Sequence, residues 1–120
     1  MKKRTPEEIL ELAIKAADER SGKDIIALNM KGISILSDYQ LIITANTNRQ
    51  TNAIAQAIIQ EAAKAGVHAV MEGKADGNWL LVDLGDVIVH IFDEENRHAY
   101  NLEGLWAEAP LVEISQWIIN

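Results

Sequence analysis

The stretch that most constrains the fold is Trp79–Phe92, WLLVDLGDVIVHIF, in which Gly85-Asp86 separates two apolar, β-branched runs. A short Gly-Asp interruption between such runs is the mark of a two-residue hairpin turn. That turn fixes the register, pairing Leu84 with Val87, Val82 with Val89, Leu80 with Ile91 and Trp79 with Phe92. Side chains alternate across a strand, so one face of the hairpin is Leu80, Val82, Leu84, Val87, Val89 and Ile91, all aliphatic and suited to a core. The other face carries Trp79, Leu81, Asp83, Ile88, His90 and Phe92. It is too apolar to be left to water and too polar for ordinary core, so a second layer or another protein must cover it.

The surrounding chain supplies the rest of an α/β domain. Thr5-Pro6-Glu7-Glu8 is a capping box with proline at the first helical position. The helix it opens puts Ile9, Leu10, Ala13, Ile14 and Ala17 on one stripe and should end near Ser21-Gly22. Asp24–Met30 reads as a strand with Ile26, Leu28 and Met30 on one face, Lys31–Asp38 as a turn or short helix, and Tyr39–Ala45 as a second strand. Thr47 or Asn48 caps a long helix to Ala65, expected to be buried through Ile54, Ile58, Ala62 and Ala65, with Gly66 ending it. Val67–Glu72 is expected to be a third strand, Gly73–Asn78 a loop, and the hairpin strands four and five. Asn101–Trp106 reads as a short helix, and Leu111–Ile119 as another, with Leu111, Ile114, Trp117 and Ile118 on one side. The order implies a single domain over residues 1–120, with a mixed five-stranded sheet, flanking helices and a C-terminal helical tail over 111–120.

Composition narrows the function. Residues 1–50 hold eight Lys/Arg and seven Asp/Glu, whereas residues 51–120 hold three (Lys64, Lys74, Arg97) against eleven acids, for a net charge of −7. Tracking a phosphate backbone needs clustered Lys/Arg, so little direct nucleic-acid binding is expected. An acidic surface suits a basic protein partner. The chain has no cysteine and hence no disulfide. Its opening, MKKRTPEEI, runs into a polar capped helix rather than a signal-peptide core, and no apolar stretch approaches the ~20 residues that span a bilayer. A cytoplasmic protein without a membrane partner is expected.

Catalytic chemistry is weakly supported. Asp83 and His90 share a face but are diagonal rather than opposed, about 7–8 Å apart at the backbone. Asp86 sits in the turn, where a short acceptor side chain is favoured locally, and Asp93-Glu94-Glu95 reads as a solvated turn. His90 reads as a hydrogen-bonded sheet histidine or an interface residue. His68 and His98 lack paired metal-ligand spacing, and no nucleophile elbow or glycine-rich phosphate loop is present. No catalytic residue, metal or cofactor is assigned. Trp79 suits anchor and core equally, Trp106 beside Glu103 and Glu108 leans to an interface, and Trp117 to docking on its own fold.

Trp79–Phe92 followed by Glu95, Arg97, Tyr100-Asn101-Leu102-Glu103, Leu105-Trp106 and Ala109-Pro110 resembles the ribosomal silencing factor S (Iojap-like) family, as do Ser37-Asp38-Tyr39 and Arg49-Gln50. The resemblance covers about residues 5–110. It implies a fold similar to nucleotidyltransferases without their active site. It also implies a non-enzymatic binding protein that attaches to the large ribosomal subunit through large-subunit ribosomal protein fourteen. There it blocks joining of the small subunit and lowers translation when nutrients are scarce; free family members are often homodimers. Carried onto this chain, the partner surface is Trp79, Leu81, Asp83, His90 and Phe92, with Tyr100, Leu105 and Trp106 second. The family usually has a glycine in the turn after the second strand. Here Thr44-Ala45-Asn46-Thr47-Asn48 is one residue shorter, and Asn46 is expected to supply the left-handed conformation. Two alternatives stand beside this one: a nucleotidyltransferase-like enzyme holding a divalent metal on Asp83 and Asp86, and a homodimerisation module using the mixed face.

Overall fold

Thr5 opens the first helix as its sequence demands: its hydroxyl accepts from the Glu8 backbone N–H, and the Glu8 carboxylate accepts from Thr5 N–H. The computed structural model describes residues 4–73 and 79–119. Its elements are α1 (Pro6–Glu19), β1 (Lys23–Asn29), β2 (Tyr39–Ala45), α2 (Asn48–Lys64), β3 (Val70–Gly73), β4 (Trp79–Asp83), β5 (Val87–Asp93), α3 (Glu94–Tyr100) and α4 (Leu102–Leu105). A single 3-10 turn follows at Ser115–Trp117. The sheet is mixed and five-stranded, in the order β1-β2-β5-β4-β3. Only the central β2–β5 pair is parallel; the other neighbours are antiparallel. The expected α/β class and strand count are what the chain adopts.

The hairpin register is the one its turn dictates. Trp79 faces Phe92, Leu80 faces Ile91, Leu81 faces His90 and Val82 faces Val89. Gly85 takes φ of 88°, a left-handed conformation that a Cβ would strain. The aliphatic hairpin face joins Ile9, Leu10, Ala13, Ile14 and Ala17 of α1 and Ile54, Ile58 and Ala62 of α2 in the main core. The opposite sheet face builds a smaller core from Leu28, Met30, Ile42, Phe92, Leu102 and Ala109. Its cover is the α3–α4 segment.

Four expectations are corrected. The third strand begins at Val70 rather than Val67, because Gly66 turns with φ of 76° and Val67 N–H still donates to Ala62 O at the end of α2. Residues 94–100 are helical rather than a solvated turn: the Asp93 carboxylate caps α3 by accepting from Asn96 N–H, and Glu94 and Glu95 occupy the first turn, where the helix dipole favours them. The tail is not a helix. Asn29 N–H donates to Pro110 O and Val112 N–H to Ala27 O, so residues 110–112 run along the outer edge of β1. Leu111 is thereby left exposed, while Ile114, Trp117 and Ile118 cross to the main core. Finally, Asn46 has no positive φ. Its N–H donates to Gln50 Oε1, while Gln50 Nε2 donates to the carbonyls of Arg20 and Ser21, so one carboxamide ties the β2–α2 turn to the end of α1. The loop expected over 73–78 lies outside the described residues from residue 74 onward.

What seats α3–α4 on the sheet is Arg97. Its guanidinium donates to Glu103 Oε1 at 3.0 Å, to Thr44 Oγ1 at 2.7 Å and to the backbone carbonyl of Asp24. That carbonyl is presented by an irregularity in β1 at which Asp24 itself takes φ of 50°. The Arg97 side chain is only 11% exposed, so its bonds to Glu103 and Thr44 are partly shielded from water. Asn101 then closes α3 in a left-handed conformation, and its side chain accepts from Gly104 N–H to start α4. Replacing Arg97 by Ala is expected to cost about 1.5–3 kcal/mol of stability, the range for hydrogen bonds to a charged group. It should also speed amide exchange across residues 94–105 selectively. Hydrogen-exchange mass spectrometry checks this, and unchanged exchange there would show that α3–α4 is held by packing alone.

Candidate functional site

The mixed face of the hairpin gathers its aromatic residues into one cluster. Trp79 stacks on Phe92 with centroids 5.2 Å apart and meets Tyr100 at 4.6 Å. Phe92 contacts Tyr100 at 5.7 Å, and His90 lies 5.8 Å from Trp106. Register brings Trp79, His90 and Phe92 together from adjacent strands, whereas Tyr100 and Trp106 arrive from α3 and the end of α4. Five of the eight residues expected at the partner surface therefore touch one another through rings. Leu81 lies directly across from His90 and is half-buried. Asp83 sits at the turn end of the face, where its Oδ1 accepts from Gly85 N–H at 2.8 Å. Leu105 is not covered.

Depth separates these residues into two groups. Phe92 is fully buried and His90 is 5% exposed, so neither presents a surface to a partner in this conformation. Tyr100 at 40% and Leu105 at 71% are exposed, and Trp79, Leu81, Asp83 and Trp106 are half-buried. The buried pair lies beneath, and the other six remain at least partly accessible. Of the neighbouring charges, Glu108 two residues past Trp106 is exposed, Glu94 pairs with Lys23 at the β1 edge, and Arg97 is taken up internally.

His90 is held from both ring nitrogens. Trp79 Nε1 lies 3.3 Å from Nδ1, and Nε2 lies 2.7 Å from Gln40 Oε1. Gln40 is the partner that sequence reasoning missed. The signal was available, since it is the one amide in an otherwise apolar strand, YQLIITA, and every residue of that strand is buried. Arg97 was likewise not singled out for its structural part, which depends on a β1 irregularity distant in sequence.

The arrangement does not assemble a metal site from Asp83 and Asp86. Asp83 turns into its own loop, and among the described residues no group of three His, Cys, Asp or Glu could hold a metal ion. Among them, too, no helix is long and apolar enough to cross a membrane. What the site offers is a half-open aromatic and aliphatic surface.

The family described as "Ribosomal silencing factor during starvation" matches residues 3–119. The chain belongs to that family. The ribosomal silencing factor RsfS of Bacillus subtilis (strain 168) is 46% identical over 107 residues, spanning 88% of this chain and 91% of that protein. RsfS of Halalkalibacterium halodurans is 43% identical over 109 residues, spanning 90% and 93%. A crystal structure of a Chromobacterium violaceum protein matches the fold with a TM-score of 0.84 at 38% identity, over 87% of this chain and 88% of that one.

In this member of the RsfS family, burial pushes the His90 pKa down from 6.5 to about 4. The folded chain therefore keeps its imidazole neutral where the unfolded chain takes up a proton. The stabilisation is complete above pH 6.5 and is lost as pH falls towards 4, amounting to about 3 kcal/mol at most. Denaturant midpoints measured between pH 7 and 5 should fall with pH, in a range where most carboxylates remain ionised. His90→Gln should flatten that slope; an equal slope in the variant would assign it to other groups.

Proposed function

We propose that this chain is a ribosomal silencing factor that binds the large ribosomal subunit through large-subunit ribosomal protein fourteen and so blocks joining of the small subunit, repressing translation under nutrient limitation. The observation that carries the proposal is the half-open aromatic surface around Trp79, Tyr100, Leu105 and Trp106, in a chain of this family. Large apolar side chains partly open to solvent on a chain of net charge −7 fit a basic protein better than they fit RNA. Residues 51–120 carry only three Lys/Arg, and one of them, Arg97, is spent inside the fold. Direct RNA contact is accordingly minor.

The mechanism needs no chemistry, cofactor or metal. A domain of 39 × 32 × 27 Å seated on the joining face occupies the space the small subunit requires. A stable protein interface buries about 1,200–2,000 Å² in total, and a few aromatic anchors carry most of its energy. Among the residues of the surface, Trp79, Leu81, Asp83, Tyr100, Leu105 and Trp106 make contact, and His90 and Phe92 support them from beneath. The same apolar surface accounts for a homodimer when the chain is free, exchanged for the ribosomal protein on binding. The protein acts in the cytoplasm, where subunits join.

Sedimentation with isolated ribosomal subunits tests the proposal. The chain should pellet with the large subunit and not with the small one. Trp106→Ala should weaken that association by more than about 1 kcal/mol while unfolding stays cooperative. Binding to neither subunit, or equal binding by the folded variant, would contradict it. Charge reversal at Glu108, which is exposed, should slow association at low salt and matter less as salt rises. On-rates that do not depend on salt would exclude electrostatic steering.

A further inference from the structure

Four side chains on the mixed face form one continuous hydrogen-bonded relay. Trp79 Nε1 lies 3.3 Å from His90 Nδ1, His90 Nε2 lies 2.7 Å from Gln40 Oε1, and Gln40 Nε2 donates to Ser37 Oγ at 2.8 Å. The indole nitrogen only donates, so Nδ1 must accept and the imidazole proton must sit on Nε2, which donates to Gln40. The members come from β4, β5, β2 and the turn before β2. Ser37, Gln40 and His90 are each 5% exposed.

Burying three polar side chains is unfavourable unless each is satisfied, and here each is. Packing alone gives no reason for them, since aliphatic residues would fill a sheet face as well. The relay does something packing cannot. Trp79 is half-buried, so its indole N–H is free to turn towards water unless an acceptor fixes it; the Nδ1 acceptor sets the ring against Phe92 and Tyr100. At its other end the relay anchors Ser37, which directly follows Ile35 and Leu36, two aliphatic residues exposed on the turn.

We propose that His90 and Gln40 are positioning residues that hold the Trp79 indole and the Ser37 turn together as one preformed docking surface for the basic protein partner. This rests on the silencing-factor reading for the identity of that partner, but not for the relay itself. Preformed anchors bind more tightly because less freedom is lost on association.

Nitrogen NMR of the labelled wild-type chain at neutral pH tests the relay without any substitution. His90 should carry its proton on Nε2 with Nδ1 bare; the opposite tautomer overturns the proposal. Variants test the consequence. Asparagine at position 90 keeps an acceptor near the Nδ1 site, whereas glutamine reaches the Nε2 site and gives up the indole's acceptor. His90→Asn should leave the Trp79 indole N–H resonance near its wild-type shift and binding to the large subunit within about twofold. His90→Gln should move that resonance and weaken binding about fivefold or more. Gln40→Leu, which leaves the imidazole in place, should give an intermediate loss and sharpen exchange differences in the Ser37 turn. Equal binding by His90→Asn and His90→Gln would overturn positioning even with the relay present. Failure of the wild-type chain to bind would instead remove the silencing-factor reading, and the indole resonances would still decide whether His90 places the ring.

Discussion

The second core exists because one buried guanidinium binds three elements at once. Arg97 joins α3 to α4 through Glu103, to β2 through Thr44 and to the irregular start of β1 through the Asp24 carbonyl. Without that attachment the short helices have little to hold them. Seven and four residues are too few to be stable alone, and neither buries a long apolar stripe. With it, Leu102 and Ala109 close over Phe92 and Leu28, and the face of the sheet is covered on the β1–β2 side. The β4 side stays partly open, and that boundary between covered and uncovered sheet is where the aromatic surface lies.

The same boundary explains why polar and apolar groups alternate so closely there. Val89 and Ile91 point into the fully buried main core, but their neighbours His90 and Phe92 point to the thinner layer. Phe92 is sealed, His90 is sealed and hydrogen-bonded, and Trp79 and Trp106 sit at the rim. Arg97 faces inward, so its charge is spent on Glu103, Thr44 and the Asp24 carbonyl and not presented at the rim.

Much of this was legible in the chain because short-range rules governed it. The Gly85-Asp86 turn fixed the parity of fourteen residues, and the Thr5 and Thr47 caps fixed where both long helices start. What escaped depended on partners distant in sequence. The tail carries helical spacing at Leu111, Ile114 and Ile118, yet Pro110 and Val112 find hydrogen bonds at the open edge of β1, and β-branched residues favour that extended path. Asp93-Glu94-Glu95 looked like solvated turn because a seven-residue helix is too short to show periodicity. Gln40 was legible as an anomaly in an apolar strand, but its partner at His90 follows only from the parallel pairing of β2 with β5, where His90 faces Ile42. Of the candidate surface, membership was readable from face parity; depth was not, because it depends on where α3–α4 stops.

The most direct test of the account is hydroxyl-radical footprinting of the chain free and bound to large ribosomal subunits. Protection should fall on Trp79, Leu81, Tyr100, Leu105 and Trp106, with the outer faces of α1 and α2 reacting equally in both states. Protection confined to α1 and α2, with Leu105 and Tyr100 as reactive as in the free protein, would contradict it.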